Sequence, residues 1–174
     1  MNLETPQEVV KASILRQYVN LMDVVNKLLV KLIGVMMLLM SIFVFIQVFC
    51  RYLLGFTIPW TEEIARYLMI WSTFLGASVA MRRSSLISLE IFVHFTPKLV
   101  SKIITFSAIV ISFVFFLVLS KIGLEMIILS GTETSPVTKF PMTYVYAALP
   151  VSMVFMVFNG IVVFIEKFLL KEGV

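Results

Sequence analysis

Four long apolar runs, near residues 31–50, 64–81, 103–120 and 144–165, set the pattern of hydrophobic and polar positions in this chain. Each can cover a hydrocarbon core about 30 Å thick, which takes roughly 20 helical residues. The pattern predicts an all-α integral membrane protein, a single domain over 1–174 with four transmembrane helices. Ahead of the first run, Ile14, Leu15, Tyr18, Leu21, Met22, Val25, Leu28 and Leu29 recur at helical spacing, while Lys11, Arg16, Asn20, Asp23, Lys27 and Lys31 take the other face. That makes residues 1–30 an amphipathic segment at the inner membrane surface, frayed at its start and running into the first span. Residues 84–102 form a second interfacial segment. They are too apolar for a free linker and too flanked by charge for a crossing, and their helix should end at or before Thr96 because Pro97 follows. The third loop, 121–143, opens with the mixed stretch KIGLEMIILS and turns polar in GTETSPVTKFP, where Gly131, Pro136 and Pro141 stop the helix. Pro150 should kink the fourth span, because its ring conflicts with the Tyr146 carbonyl one turn earlier.

Composition strengthens this reading. Hydrophobic residues make up 60% of 174 positions and mean hydropathy is +1.05, more apolar surface than a soluble domain of this size can bury. The first run is expected to remain as a permanent span and not to be cleaved as a secretory signal. Glu4, Glu8 and Asp23 precede it, and Val48-Phe49-Cys50 lacks a small-residue cleavage pattern. The single cysteine, Cys50, leaves no thiol pair for redox chemistry. His94, the one histidine, has no companions for a metal site and reads as an ordinary interfacial residue.

The net charge of +4 gives no sign of a nucleic-acid partner, and the placement of the charges says more than their sum. Lys11, Arg16, Lys27 and Lys31, then Arg82, Arg83, Lys98 and Lys102, then Lys167 and Lys171 fall on one side of the four spans. Only Arg51, Lys121 and Lys139 lie in the loops of the other side. Positive residues gather on the cytoplasmic side, so both termini are expected there, in a bacterial inner membrane.

Candidate chemistry concentrates between Arg51 and Arg83. Pro59 and Trp60 lead into Thr61, a candidate N-cap, and Glu62 and Glu63 then occupy a first turn where the helix dipole favours acids. Arg66 is in reach of Glu62 at i, i+4 and of Glu63 at i, i+3. With Arg51 included the cluster is neutral, and a self-satisfied helix start explains Arg51 and the spare carboxylate less well than a partner contact does. Trp60 suits an interfacial aromatic belt, and Arg82 and Arg83 suit anchoring at the opposite membrane face. Ser72, Gly76 and Ala80 form a small-residue face of the kind that lets helices approach in lipid, and Ala148, Ser152 and Gly160 sketch a weaker one. Whether such faces meet a helix of this chain or of another is left open by spacing alone. No ionisable residue occupies the middle of a span, where a charge costs roughly 2.5–3.5 kcal/mol and normally marks an ion or proton path. An enzyme is therefore not expected, and a stand-alone four-helix carrier or channel is the remaining alternative, ahead of a membrane-embedded enzyme.

The stretch RYLLGFTIPWTEEIARYLMIWSTFLGASVAMRR resembles the small membrane subunit (DctQ-like) of tripartite ATP-independent periplasmic, or TRAP, transporters. The similarity is carried by Arg51-Tyr52, Trp60-Thr61-Glu62-Glu63, Ala65-Arg66, the Trp71 region, the Gly76–Ala80 run and Arg82-Arg83. Pro97, the proline-containing third loop and Tyr146 to Pro150 extend it. Ser84 to Glu90 departs from the family, whose members often carry a His before the Ile and an Asp near the Glu. The resemblance implies a small, non-catalytic scaffold subunit that binds no cofactor itself. It would brace a large, elevator-type (DctM-like) subunit holding the sodium and substrate sites, and help a periplasmic substrate-binding protein to dock. Arg51, Trp60, Glu62, Glu63, Arg66, Ser72, Gly76 and Ala80 are the candidate interface residues, and organic anions such as sialic acid or C4-dicarboxylates the implied cargo.

Overall fold

The computed structural model describes the backbone of residues 6–94 and 98–166, with side chains for most of 13–82 and 110–166. The described chain is helical: α1 (Pro6–Phe49), a π-turn (Cys50–Leu54), α2 (Pro59–His94), α3 (Lys98–Ser130), α4 (Met142–Tyr146) and α5 (Ala148–Phe164). Four stretches are long and apolar enough to cross a membrane: Ser13–Leu54, Pro59–Arg82, Val110–Ser130 and Met142–Phe164. The protein is thus an all-α membrane protein with four candidate spans. The Arg83 side chain, the interfacial placement of 84–102 and the surroundings of His94 lie outside the described residues.

Local chemistry accounts for the breaks. Pro59, whose missing N–H costs nothing at the first helical position, opens α2. Gly55 accepts φ of 73° after the π-turn, where its N–H donates to the Cys50 carbonyl. Gly131, at φ of 45°, ends α3. The mixed stretch after Ser120 continues α3 for a further ten residues, because nothing in KIGLEMIILS breaks a helix. The last span is interrupted at Ala147, one turn before Pro150. The Ala147 N–H still reaches the Thr143 carbonyl at 2.9 Å, and the ladder resumes with Val151 N–H to Ala147 O at 3.1 Å. Pro150 has no N–H to return to Tyr146, and the helix is interrupted beside that missing bond.

Antiparallel α1 and α2 pack through Leu29 against Leu75 and Val79, with Phe155 of α5 against the same cluster. α5 meets α3 through Phe116, Met153 and Met156. At that seam Gly123 brings α3 so close that an added Cβ would stand 2.8 Å from Pro150 Cδ. α1 reaches α5 only toward its N-terminal part, where Val19 and Met22 pack on Val162 and Ile165. The helices therefore form a row, α1–α2–α5–α3, with little contact between α2 and α3. A row buries less than a closed bundle: the chain exposes 12074 Å², against about 8,600 Å² for a compact monomer of this mass. Much of the excess is apolar, including Val35, Leu38, Phe45, Ile111, Val114 and Val118.

α1 runs without a break from Pro6 into the first span, and the middle of its apolar stripe (Val19, Met22, Leu29) is buried against α5 and α2.

Candidate functional site

The charged end of α2 divides into two parts that face different ways. Glu62 and Arg66 form the expected i, i+4 pair at 3.0 Å, with both side chains more than half exposed. Glu62 also accepts from Gln47 Nε2 at 3.1 Å, tying the end of α1 to the start of α2. A surface pair of this kind contributes about 0.3–0.5 kcal/mol. Trp60 sits beside it, 45% exposed, its ring edge against Phe43 at 6.0 Å between centroids.

Glu63 turns inward. It is 7% exposed and does not share Arg66, contrary to what its i, i+3 spacing suggested. Instead, Tyr67 Oη donates to it at 2.9 Å and the Thr138 backbone N–H at 2.8 Å, with the Ser135 hydroxyl as third donor. Thr138 Oγ1 donates in turn to Ser135 Oγ at 3.0 Å. Three donors satisfy a carboxylate that burial would otherwise penalise. Arg51 is not among them. It is exposed, with its guanidinium 5.9 Å from the centre of the Tyr52 ring. Thr61 also departs from expectation. It lies inside the first turn, and its hydroxyl donates to the Ile58 carbonyl at 2.7 Å in place of accepting as an N-cap.

The loop that meets Glu63 is a small hairpin. Thr134 and Pro141 form an isolated bridge, flanked by Ser135 N–H to Phe140 O at 2.9 Å and Met142 N–H to Glu133 O at 3.0 Å. Lys139 takes φ of 56° to close its tip, a conformation usually left to glycine. Phe140 lies between Tyr67 and Tyr144, with centroids 6.3 and 5.4 Å away.

Two polar centres join α1, α2 and α5 toward the other end, and the charge pattern did not reveal them. The amides of Asn26 and Asn159 bond reciprocally at 2.6 and 3.0 Å, and Asn159 Nδ2 also reaches the Ser78 carbonyl at 2.8 Å. Both asparagines are buried. Beyond them, Arg82 donates through Nη1 and Nη2 to both Glu166 oxygens at 2.6 Å, and through Nε to Asp23 at 3.2 Å. Its side chain is only 11% exposed. Arg82 is therefore the hub of an ion cluster that joins three helices, with two carboxylates of its own chain engaging the guanidinium. An amide inside an apolar run is the signal that could have exposed the first centre; the second has no local signal.

The two small-residue faces differ. Ala148 and Ser152 are fully buried within the chain, whereas Gly76 is half-buried with open space beside it and Ala80 is exposed. Ser72 and Thr73 return their hydroxyls to the Met69 carbonyl at 3.0 and 2.7 Å. With those hydroxyls satisfied, the face Ser72–Gly76–Ala80 is small, smooth and unoccupied by any described helix of this chain.

The matching family model is described as tripartite ATP-independent periplasmic transporters, DctQ component, and it covers residues 40–170. A protein of Haemophilus influenzae that carries the name TRAP transporter small permease protein is 40% identical over 82 residues, 47% of this chain. The match spans about half of that relative, 51% of its length. A four-span all-α chain, with a match over most of its length to one family of transporter components, belongs to the DctQ component family of TRAP transporters.

Proposed function

We propose that this chain is the small, non-catalytic scaffold subunit of a sodium-coupled TRAP transporter importing organic anions of the sialic acid or C4-dicarboxylate type. It braces a large elevator-type subunit that holds the sodium and substrate sites, and carries no cofactor of its own. Its outer loops help a periplasmic substrate-binding protein to dock. Both termini lie on the cytoplasmic side of a bacterial inner membrane, as the distribution of lysine and arginine favours.

The observation that carries this reading is the open face of α2. Helices in lipid associate through close packing of small residues. Here Ala148 and Ser152 are buried against the chain's own helices, while Gly76 and Ala80 stay uncovered. A moving transport element needs a neighbour that does not tilt. The Arg82 cluster and the asparagine pair hold α1, α2 and α5 together toward one end, and the Gln47–Glu62 bond ties α1 to α2 at the other, as a brace requires.

Co-expression with the large subunit tests the proposal. Gly76→Leu and Ala80→Leu should reduce the copurified large subunit at least tenfold, and sodium-driven uptake with it, while the small subunit alone keeps its yield and melting temperature. Uptake by this chain reconstituted alone would instead support a stand-alone carrier.

A further inference from the structure

Glu63 carries an inference that rests on the scaffold reading but concerns a different surface. The hairpin over 133–142 leaves the end of α3 and folds back onto the first turn of α2, at the end of the molecule where Glu62 and Arg66 are exposed. Its tip residues Pro136, Val137 and Lys139 are exposed, and so is Phe140. At the base of the tip, Phe140 packs between Tyr67 and Tyr144. What ties the tip is the Glu63 carboxylate, through Ser135 Oγ and the Thr138 N–H, with Tyr67 fixing the carboxylate from the other side. The tip also keeps Lys139 at φ of 56°, a conformation a lysine holds only where its surroundings impose it. A loop that would otherwise sample many conformations is thus held in one before any partner arrives. Such preorganisation raises affinity by removing the ordering cost of binding.

We infer that Glu63 is a positioning residue. By holding the 133–142 hairpin in one shape it sets the surface that a water-soluble, substrate-delivering protein engages from outside, while contributing nothing to assembly within the membrane. The exposed residues on and beside the hairpin are mixed, with Thr132, Glu133, Thr134 and Lys139 next to Pro136, Val137 and Phe140, and apolar contacts rimmed by polar groups suit a protein partner better than a lipid tail. The Glu63 carboxylate is engaged by Ser135 and Thr138 of the hairpin and by Tyr67 of its own helix, all within this chain.

The test uses the intact two-subunit transporter in proteoliposomes with purified binding protein. Glu63→Gln keeps the shape of the side chain but removes its charge and leaves one acceptor oxygen where the carboxylate offered two to the Tyr67, Ser135 and Thr138 donors. Ser135→Ala removes the same tie from the hairpin side. Both should raise the KM for substrate-loaded binding protein roughly tenfold, with kcat at saturating binding protein and copurified large subunit within twofold of wild type. Hydrogen exchange at the amides of 135–140 should accelerate at least tenfold in both variants. A KM unchanged in both variants, a loss of copurified large subunit, or unaltered exchange at Thr138 would each overturn the inference. A wild-type complex that fails to assemble or transport would refute the scaffold reading, and the exchange result would still judge Glu63 separately.

Discussion

A methyl group on Gly123 would stand 2.8 Å from Pro150 Cδ and 3.3 Å from Leu149 Cγ, and the proline ring, fixed to its backbone, cannot swing aside. Two effects oppose each other when Gly123 becomes Ala. Helix propensity favours alanine by about 1 kcal/mol, and overpacking of a tight seam costs about 1–3 kcal/mol. The seam should win, so Gly123→Ala is expected to lower the melting temperature in detergent by several degrees. Gly34→Ala, where an added Cβ meets nothing within 4 Å, should leave it unchanged or raise it. Glu62 and Glu63 make a related point about single residues. The Glu62–Arg66 pair was legible because its partners sit one turn apart on one helix. Glu63 is adjacent in sequence, but its side chain points about 100° around the helix from that of Glu62, and beyond Tyr67 one turn on, its hairpin partners lie 72 and 75 residues further along. No local spacing rule reaches them.

Between elements, the polar contacts decide how the row is joined. The four spans were legible because hydropathy over some twenty residues is a property of the segment alone. Their order in space was not, since it depends on Asn26 meeting Asn159 across 133 residues and Arg82 meeting Glu166 across 84. Neither centre has a signature in local charge spacing, since Asn26 and Asn159 are neutral and Asp23 and Glu166 stand 59 and 84 residues from Arg82. The Arg82 cluster should behave as a partly buried ion pair. Arg82→Met leaves Glu166 without its two 2.6 Å donors, and breaking such a pair costs about 3–5 kcal/mol when fully buried. With side chains 11% and 14% exposed, the loss should approach the lower end of that range. Arg82→Met with Glu166→Met removes both charges and should recover most of the stability. Denaturation of the three proteins in the same detergent checks the order: wild type and double variant close together, single variant well below.

As a whole molecule, this chain is an open row and not a closed bundle, and that shape bears directly on its role. Large apolar side chains line the outside of α1 and α3, as a chain surrounded by lipid and a partner requires. In water they would be an aggregation hazard. Hydropathy cannot distinguish a row from a bundle, because either arrangement needs four apolar helices. The difference lies in which faces remain uncovered, and α2 leaves its smallest one open. The account therefore depends on what lies against Ala80. A photo-crosslinking amino acid placed at Ala80 in the transport-active complex, with Val118 on α3 as a control, gives the most direct answer. A covalent adduct between position 80 and the large subunit is expected, lost when Gly76→Leu is added. A complex that transports normally while position 80 captures only lipid, or only a second copy of this chain, would contradict it.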